Sequence, residues 1–281
     1  MPLSVRLHDD KRSAKVHKTK AVHAPSAPPP IDPALLLLAY RSGIFPMADT
    51  RDDQEVFWVE PRRRAVLPLD QFHCSHSLAK VLRRGAFTVT CNRAFAEVIE
   101  ACAAPRRDTE ETWISGRIAA SYIGLHEQGH AHSIECWSAG ELVGGLYGVG
   151  FDRVFCGESM FSRRTDASKV ALAWLVAALR RAGCQLLDCQ FITGHLASMG
   201  AVEISQSQYL NRLRAAQTPS EGEAEALGLG DGLAAGLGDA AGLAAGTALP
   251  AGFAALLAAA AGAGLASSPG NFIAQSLTHT S

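Results

Sequence analysis

Two stretches decide the fold of this chain: Phe155-Cys156-Gly157-Glu158-Ser159-Met160-Phe161-Ser162 and, one helix-length later, Leu186-Leu187-Asp188-Cys189-Gln190. Both are rich in β-forming residues, which predicts two short strands. Side chains alternate between the faces of a strand, so we expect Asp188 and Gln190 to point the same way. Burying polar groups among apolar neighbours is costly unless each has a partner. Any one of Glu158, Asp188 and Gln190 alone favours a structural hydrogen-bond network, but the three on neighbouring strands favour an active site.

The segment between these strands gives the clearest helix signal of the chain. It predicts a helix over Asp166–Ala182, with Thr165 or Asp166 as the N-cap and Gly183 just after the end. Further strands are predicted at His132–Trp137, Glu141–Tyr147, Arg153–Phe161 and Gln185–Phe191. A strand pair, a strand, a long helix and another strand predict a mixed α/β sheet with the helix packed across it.

Composition divides the chain into five regions. We predict a basic, proline-rich disordered tail (1–30), a small N-terminal domain (31–70), a catalytic domain (71–215), an Ala/Gly-rich low-complexity insertion (216–267) and a C-terminal segment able to dock on the core (268–281). The insertion has no steady helical or strand period, so we assign it no firm structure beyond a transient helix at Ala254–Ala261.

The formal net charge of −1 conceals an uneven distribution. Residues 1–30 carry six Lys or Arg against two Asp, whereas the chain after Arg214 carries five acidic residues and no Lys or Arg. Between them lie local arginine clusters, among them Arg62–Arg64, Arg83–Arg84 and Arg106–Arg107. Such clusters suit either a phosphate-bearing partner or a solvated surface, and spacing alone does not separate the two.

Cysteine usage and hydropathy indicate the compartment. Seven cysteines, an odd number at irregular spacings, do not form a disulfide framework and indicate a reducing environment. The first thirty residues contain no apolar leader, and Ala251–Leu265 is too weakly hydrophobic for a membrane span. We therefore predict a cytoplasmic protein without a membrane segment.

Two groups of residues have spacings that suit a metal: His126, His130 and His132, and His73, Cys74 and His76. Neither group has a second matching ligand pair, so we predict no metal and no cofactor. Cys156, close to Glu158, suggests a nucleophile, but it lies in an apolar strand with no His beside it. A buried structural cysteine is the better interpretation.

The predicted order of strands and helix resembles acyl-CoA acetyltransferases of the GNAT type, which bind pyrophosphate at a glycine-rich loop before the long helix. The corresponding loop here, Ser162–Lys169, contains no glycine, and Asp166 places a negative charge in it. We expect a GNAT-like fold whose acyl donor is not coenzyme A. Gly144–Gly150 precedes no helix, and we interpret it as a glycine-rich hairpin that permits close backbone approach.

Several long, ordered motifs together resemble the leucyl/phenylalanyl-tRNA–protein transferase family. They are Ala39–Pro46, Phe57-Trp58, Thr112–Ile114, Leu125–Glu135, Gly144–Gly148, Phe155–Ser162, Ala167–Lys169 and Leu187–Gln190. The resemblance spans residues 34–214. It implies a small N-terminal domain and a GNAT-like acyltransferase domain with a mixed sheet and packed helices, in agreement with the pattern above.

The resemblance implies an aminoacyltransferase that moves Leu or Phe, with Met left open, from charged tRNA to proteins that begin with Arg or Lys. The products are marked for degradation under the N-end rule. Because the donor is an activated ester, the enzyme needs no covalent nucleophile and mainly aligns an amine with a carbonyl. The expected partners are aminoacyl-tRNA and proteins or peptides with N-terminal Arg or Lys, and we expect a monomer.

By the same resemblance, the catalytic residues are Asp188, Gln190 and Glu158. The family implies that Asp188 accepts a hydrogen bond from the Gln190 amide, which leaves the Gln190 oxygen to receive a proton of the incoming α-amine. Gln190 then orients the amine and Asp188 polarises it. Glu158 holds a substrate amino group or contributes charge near the reacting centre.

The resemblance also places the substrates. The Leu or Phe side chain is expected in an apolar slot, and two tryptophans are expected near the terminal adenine or the aminoacyl group. The substrate-binding residues are Trp58, Trp113, Leu146, Phe155, Gly157, Met160, Leu175 and Leu187. The apolar ones suit an ordinary core equally well. The tRNA backbone is expected at Arg62, Arg63, Arg64, Arg83 and Arg84.

The sequence is also compatible with two other functions. A GNAT-type N-acetyltransferase would bind acetyl-CoA. A non-catalytic tRNA-binding module would bind charged and uncharged tRNA alike and would need neither Asp188 nor Gln190.

Overall fold

The computed structural model describes residues 5–7, 28–105, 112–218 and 248–278. The strands are β1 (Val5–Leu7), β2 (Phe45–Met47), β3 (Phe57–Glu60), β4 (Arg63–Val66), β5 (Thr88–Cys91), β6 (Ala131–Ser138), β7 (Glu141–Phe151), β8 (Val154–Ser162), β9 (Leu186–Gln190) and β10 (Val202–Ser205). The helices are α1 (Pro33–Arg41), α2 (His76–Arg83), α3 (Phe95–Ala103), α4 (Gly116–Glu127), α5 (Ala167–Arg181), α6 (Gly194–Ala197), α7 (Gln206–Gln217), α8 (Ala248–Gly262) and α9 (Pro269–Thr278). A 3-10 helix covers Leu69–Gln71.

A seven-stranded sheet in the order β10-β4-β9-β8-β7-β6-β5 forms the centre of the described chain. β8 and β9 are parallel, whereas the other neighbours in this sheet are antiparallel. Parallel neighbours need a crossover connection, and α5 supplies it. The predicted mixed α/β sheet with a long packed helix is confirmed.

The parallel pairing of β8 with β9 ends before either strand does. The last paired residues are Cys156 and Asp188, after which β8 continues to Ser162 and β9 to Gln190. Two parallel strands that separate in this way leave a gap in the ladder at their carboxyl ends. Polar side chains from both strands can meet at such a gap.

A bulge in β8 lies at the same level. β7 pairs Tyr147 with Ser159 and Gly148 with Gly157, which leaves Glu158 as the extra residue. A bulge re-aims the side chain of the residue it contains, and here that residue is Glu158.

The glycine-rich segment Gly144–Gly150 lies in the middle of the long strand β7, so the predicted hairpin is wrong there. The hairpin occurs instead where β7 turns into β8, between Phe151 and Val154. The expected close backbone approach does occur, because a Cβ on Gly148 would lie 2.2 Å from the carbonyl oxygen of Cys156. Only glycine fits at this position, because any side chain would overlap the backbone of the paired strand β8.

Helix α5 packs against the sheet on one side and α8 on the other, and most of its residues are buried. It ends as predicted, with Gly183 in the left-handed region at φ +72°. Asp166 occupies the N-cap position, but its side chain makes no capping hydrogen bond and instead pairs with Lys169 at 3.1 Å. The predicted helix is confirmed, whereas Asp166 does not act as a side-chain cap.

Two N-terminal segments depart from the predicted regions. The predicted small domain 31–70 includes β4. In the structure β4 instead lies between β9 and β10 in the seven-stranded sheet, because its backbone pairs with the free side of β9. Strand β1 lies within the predicted disordered tail, yet it pairs in parallel with β3 in a second sheet of order β1-β3-β2. The remainder of that tail, residues 8–27, lies outside the described residues.

Helix α8 lies in the region to which the sequence assigns no firm structure. It buries Leu249, Phe253, Leu256 and Ala260 along one face, and Phe253 packs on Trp174 of α5 with ring centroids 5.4 Å apart. The helix includes the transient helix predicted at Ala254–Ala261 and begins six residues earlier, and tertiary packing of this face stabilises it. Helix α9 contacts α2 and α5. Within the described ranges, no helix has the length and hydropathy needed to cross a bilayer.

Candidate active site

A buried ion pair joins β4 to β9. The Nε atom of Arg64 lies 2.9 and 3.1 Å from the two carboxylate oxygens of Asp188, and its Nη2 lies 2.5 Å from Oδ2. The Tyr209 hydroxyl donates to Oδ2 at 3.0 Å, and the backbone N–H of Gln190 donates to Oδ1 at 2.8 Å. Arg64 is 1% exposed and Asp188 is fully buried. Both oxygens of Asp188 are therefore engaged by the protein itself.

The position of Arg64 contradicts its predicted role on a tRNA-binding surface. Its guanidinium lies over the rings of Phe45 and Tyr209, 4.8 and 4.4 Å from their centroids, and Nη1 donates to the carbonyl of Gly43 at 3.1 Å. Burial alone would lower the pKa of Arg64, but the Asp188 carboxylate raises that pKa above its ordinary value. The correction has a simple cause, because alternation along β4 turns Arg64 inward.

The other arginines predicted to contact tRNA, Arg62, Arg63, Arg83 and Arg84, are exposed. Arg63 forms an ion pair with Glu203 at 2.6 Å, and Arg83 and Arg84 lie at the C-terminal end of α2. These four side chains are exposed, and their contact with the tRNA backbone stays a prediction. The third cluster, Arg106–Arg107, lies outside the described residues.

A second polar network surrounds Glu158 at the bulge of β8. The Gln190 amide Nε2 donates to Glu158 Oε1 at 2.7 Å, and the Tyr122 hydroxyl donates to Oε2 at 3.0 Å. The Tyr122 and Tyr40 hydroxyls share a further short hydrogen bond. Because the Tyr122 proton is directed to Glu158, Tyr40 is the donor in that contact. The network links α1, α4, β8 and β9, and all four side chains are buried.

The Gln190 amide binds a different carboxylate from the one predicted. It donates to Glu158, whereas Asp188 receives the backbone N–H of Gln190. Gln190 has a φ of +54°, in the left-handed region, and this departure from strand geometry turns its side chain toward β8. The predicted hydrogen bond from the Gln190 amide to Asp188 is therefore wrong.

Burial raises the pKa of Glu158 from 4.5 to about 7. The hydrogen bonds of Tyr40 and Tyr122 act in the opposite direction, and the charge of Asp188 adds to the increase. Burial, with Glu158 as the second cause, also raises the pKa of both tyrosine hydroxyls, which therefore remain protonated. A carboxyl group that titrates near neutral pH is suited to accept a proton and to return it.

The fold brings together the apolar residues of the predicted side-chain slot. Leu146 pairs with Met160 across β7 and β8, and Phe155 pairs with Leu187 across β8 and β9. These four residues and Leu175 of α5 belong to one apolar cluster between the sheet and that helix. These residues lie on the α5 face of the sheet, and their role as a slot for the substrate side chain stays a prediction.

The predicted tryptophans lie in the other apolar cluster. Trp58 is buried and Trp113 half-buried, in a cluster that also contains Tyr40 and Tyr122. The two tryptophans therefore lie in the same cluster as the tyrosines around Glu158 and in a different cluster from the residues of the predicted slot. Gly157 lies between the two polar networks, and a Cβ at that position would be 3.6 Å from the carbonyl oxygen of Asp188.

The other candidate groups of the sequence lie apart from this chemistry. Burial raises the pKa of the Cys156 thiol well above its ordinary value, so the thiol remains protonated. The His126 ring contacts the carbonyl of Ala131, with Nδ1 at 2.7 Å from the oxygen. Across the described part of the chain, no three His, Cys, Asp or Glu residues come together as metal ligands.

Sequence reasoning missed three tyrosines: Tyr122 and Tyr209 donate to the two carboxylates, and Tyr40 donates to Tyr122. A buried tyrosine hydroxyl needs a hydrogen-bond partner, as does a buried carboxylate. A tyrosine on the apolar face of a predicted helix is therefore the available sequence signal, although it does not reveal which carboxylate is bound.

Comparison with known proteins identifies the family. The model of the leucyl/phenylalanyl-tRNA protein transferase family matches residues 66–214, and the model of its N-terminal domain matches residues 30–62. The chain belongs to this family. A leucyl/phenylalanyl-tRNA–protein transferase of Novosphingobium aromaticivorans is 70% identical over 260 residues, covering 90% of this chain and 98% of that protein.

Two further leucyl/phenylalanyl-tRNA–protein transferases match a shorter part of the chain. The protein of Zymomonas mobilis is 59% identical over 186 residues, which cover 66% of this chain and 69% of its own length. The protein of Rhizorhabdus wittichii is 59% identical over 180 residues, which cover 64% and 73%. The resemblance indicated by the motifs is confirmed, and the family is one of aminoacyltransferases.

Proposed function

We propose that this chain transfers Leu or Phe from aminoacyl-tRNA to the α-amino group of proteins that begin with Arg or Lys, producing a degradation signal. Family membership supports the tRNA-dependent transfer. The observation that carries the proposal is the hydrogen bond of 2.7 Å between the Gln190 amide and Glu158, at the place where β8 and β9 separate. There an amide oxygen lies beside a carboxyl group that titrates near neutral pH.

The reaction needs an amine without its extra proton. An α-amino group has a pKa of about 8 and must lose a proton before its nitrogen can attack the ester carbonyl. The Gln190 amide is too weak a base for that step. Glu158, whose pKa burial raises to about 7, is matched to accept the proton.

Gln190 then acts by orientation. Because its Nε2 is held by Glu158, its Oε1 is left to accept a hydrogen bond from the incoming amine. The amine nitrogen forms a bond to the carbonyl carbon, and the bond from that carbon to the ribose oxygen breaks. The proton held by Glu158 passes to the ribose oxygen, and the acylated nitrogen then gives its surplus proton to the regenerated Glu158 carboxylate, which releases it to solvent. The products are an amide, an uncharged tRNA and one proton.

Asp188 and Arg64 act one step away from the substrate. Each Asp188 oxygen already accepts at least two hydrogen bonds, from Arg64, Tyr209 and the Gln190 backbone, which leaves no lone pair for the amine. Each Glu158 oxygen accepts only one of the hydrogen bonds described above, so Glu158 keeps the capacity to take a proton. Asp188 is therefore a positioning residue that stabilises the left-handed backbone of Gln190. This assignment replaces the direct polarisation of the amine expected from the sequence.

The substrate side chain and the nucleotide occupy different regions in this proposal. The Leu or Phe side chain enters the apolar slot of Leu146, Met160 and Leu175 beneath α5. Trp113, which is half-buried, offers a face for the terminal adenine, whereas Trp58 is buried and supports it. The exposed arginines contact the tRNA backbone.

Transfer of labelled Leu or Phe from charged tRNA to peptides with N-terminal Arg, Lys or Ser tests the proposal. We expect transfer to the Arg and Lys peptides and none to the Ser peptide. Binding of charged and uncharged tRNA with equal affinity and no transfer to any peptide would instead support a non-catalytic tRNA-binding protein.

A further inference from the structure

A cleft of about 460 Å³ lies between α2 and the loop that leads into α5. Its lining residues are Val81, Ala86, Phe87, Arg163, Arg164 and Thr165. The volume is within the range of ligand-binding clefts, roughly 300–1,000 Å³. Neither Glu158 nor Gln190 lines this cleft, so it is separate from the reacting centre.

The charge of the cleft suits an anion. Two arginines line it without any acidic residue, and the neighbouring Asp166 is paired with Lys169 at 3.1 Å. Arg83 and Arg84 continue the positive charge, because they follow Val81 by two and three residues at the end of α2. Phosphate is the anion that arginine forks bind most readily.

The two arginines are held in fixed positions. Arg163 Nη1 donates to the carbonyl of Leu142 at 3.1 Å, and its guanidinium lies 5.4 Å from the ring centroid of Phe161. Arg164 donates to the hydroxyl of Ser138. Each guanidinium has five N–H donors, so most of them remain to bind a ligand. Donors fixed in advance lose little conformational entropy on binding.

The opposite wall of the cleft is apolar. Val81, Ala86 and the half-buried ring of Phe87 form it. A ligand that matches both walls carries phosphate on one side and an aromatic or apolar group on the other. A nucleotide of a single strand has this form, since bases stack on aromatic side chains while arginine binds the backbone.

Strand β8 connects the reacting centre to the cleft, because it contains Glu158 and ends at Ser162, just before Arg163. Arg163 follows Glu158 by five residues, which is roughly 17 Å along an extended strand. We propose that this cleft binds the nucleotides that precede the terminal adenosine of aminoacyl-tRNA, with Arg163 and Arg164 on their phosphates. The inference rests on the proposed function, because it assigns a subsite to the same donor.

The test compares a double variant, Arg163→Gln with Arg164→Gln, with a control, Arg214→Gln, whose exposed side chain contacts Asn211 on α7. Two donors are used: leucyl-tRNA and leucyl-adenosine, which lacks the preceding nucleotides. We expect the double variant to raise the KM for leucyl-tRNA at least about tenfold, with kcat unchanged, since two charge-assisted phosphate contacts are lost. The KM for leucyl-adenosine should stay the same.

Equal KM values of the double variant and the control for leucyl-tRNA would overturn the inference, as would an equal increase for both donors. Direct binding of tRNA is measured in parallel at several salt concentrations. The slope of log affinity against log salt should decrease by about 1.4, or 0.7 for each phosphate of a single strand. If the wild type uses neither donor, the proposed function fails, whereas an unchanged salt slope shows separately that the cleft does not bind the RNA.

Discussion

Removal of Arg64 is the sharpest perturbation of the site. Arg64→Met leaves Asp188 fully buried with only Tyr209 and the Gln190 backbone as partners. Breaking a buried ion pair by removing one partner costs about 3–5 kcal/mol, because the remaining charge is neither solvated nor paired. A domain of this kind is stable by about 5–15 kcal/mol in total. We therefore expect a folded protein with a much reduced free energy of unfolding.

The matched control is the preceding arginine. Arg63 also forms an ion pair, with Glu203, but its side chain is exposed. An exposed pair contributes about 0–1 kcal/mol, so Arg63→Met should change the free energy of unfolding by no more than that. The two variants remove the same side chain from adjacent residues of β4, one from a buried ion pair with further contacts to Gly43, Phe45 and Tyr209 and the other from an exposed ion pair.

A double variant separates stability from function. Arg64→Met together with Asp188→Leu removes both charges, and replacement of a buried ion pair by apolar residues is often neutral in stability. It also removes the acceptor of the Gln190 backbone N–H, so Gln190 loses its support. We expect urea unfolding to show recovery of most of the lost stability, while the transfer of Leu stays impaired.

Two results would refute this reasoning. One is an equal free energy of unfolding for Arg64→Met and Arg63→Met, which would show that the pair is not buried. The other is normal transfer by the double variant, which would show that Asp188 does not position Gln190.

Four further predictions concern Glu158 and two glycines. Burial raises the pKa of Glu158 to about 7, so kcat/KM should increase with pH through that value. The variant Glu158→Gln should abolish this increase, and identical pH profiles of the variant and the wild type would argue against a proton-accepting role for Glu158. Since the folded pKa exceeds the ordinary 4.5, ionisation of Glu158 opposes folding, so the wild type should lose stability relative to Glu158→Gln as the pH rises from 4.5 to about 7. Gly148→Ala places a Cβ 2.2 Å from the Cys156 carbonyl oxygen and should lower the Tm. The control Gly150→Ala, whose nearest contact is at 3.5 Å, should lower the Tm less. Equal Tm values of these two variants would show that β7 and β8 can separate. Gly270→Ala places a Cβ 2.3 Å from the carbonyl of Leu82 and should lower the Tm. The control Gly262→Ala, which has no neighbour within 4 Å, should leave the Tm unchanged. Equal Tm values of the two variants would mean that α9 is not packed tightly on α2.

The central sheet could be predicted because its signals are local. Alternating β-forming residues mark β8 and β9, and the apolar stretch that ends at Gly183 marks α5. Helix α8 was predicted only in part, as a transient helix at Ala254–Ala261, because an Ala/Gly-rich composition is also compatible with a flexible chain. What stabilises it is the contact of Phe253 with Trp174, and the sequence does not show that the two residues meet.

The candidate site, like the fold, could be predicted from the sequence only in part. Polar residues within apolar strands drew attention to Glu158, Asp188 and Gln190, and all three lie in the two polar networks. Their pairing was not predictable, since it depends on the left-handed backbone of Gln190. Arg64 was misassigned for a related reason: within three consecutive arginines, only the register of β4 decides which one turns inward.

The central claim is that Gln190 orients the amine for attack on the aminoacyl ester. The most direct test is the single-turnover rate of Leu transfer from saturating leucyl-tRNA to a peptide with N-terminal Arg, by the wild type, Gln190→Ala and Gln185→Ala. Gln185 is an exposed glutamine just before β9 and serves as the control. The account predicts a rate about 100-fold lower in Gln190→Ala, with tRNA binding unchanged and Gln185→Ala equal to the wild type. A rate for Gln190→Ala equal to that of Gln185→Ala would contradict it.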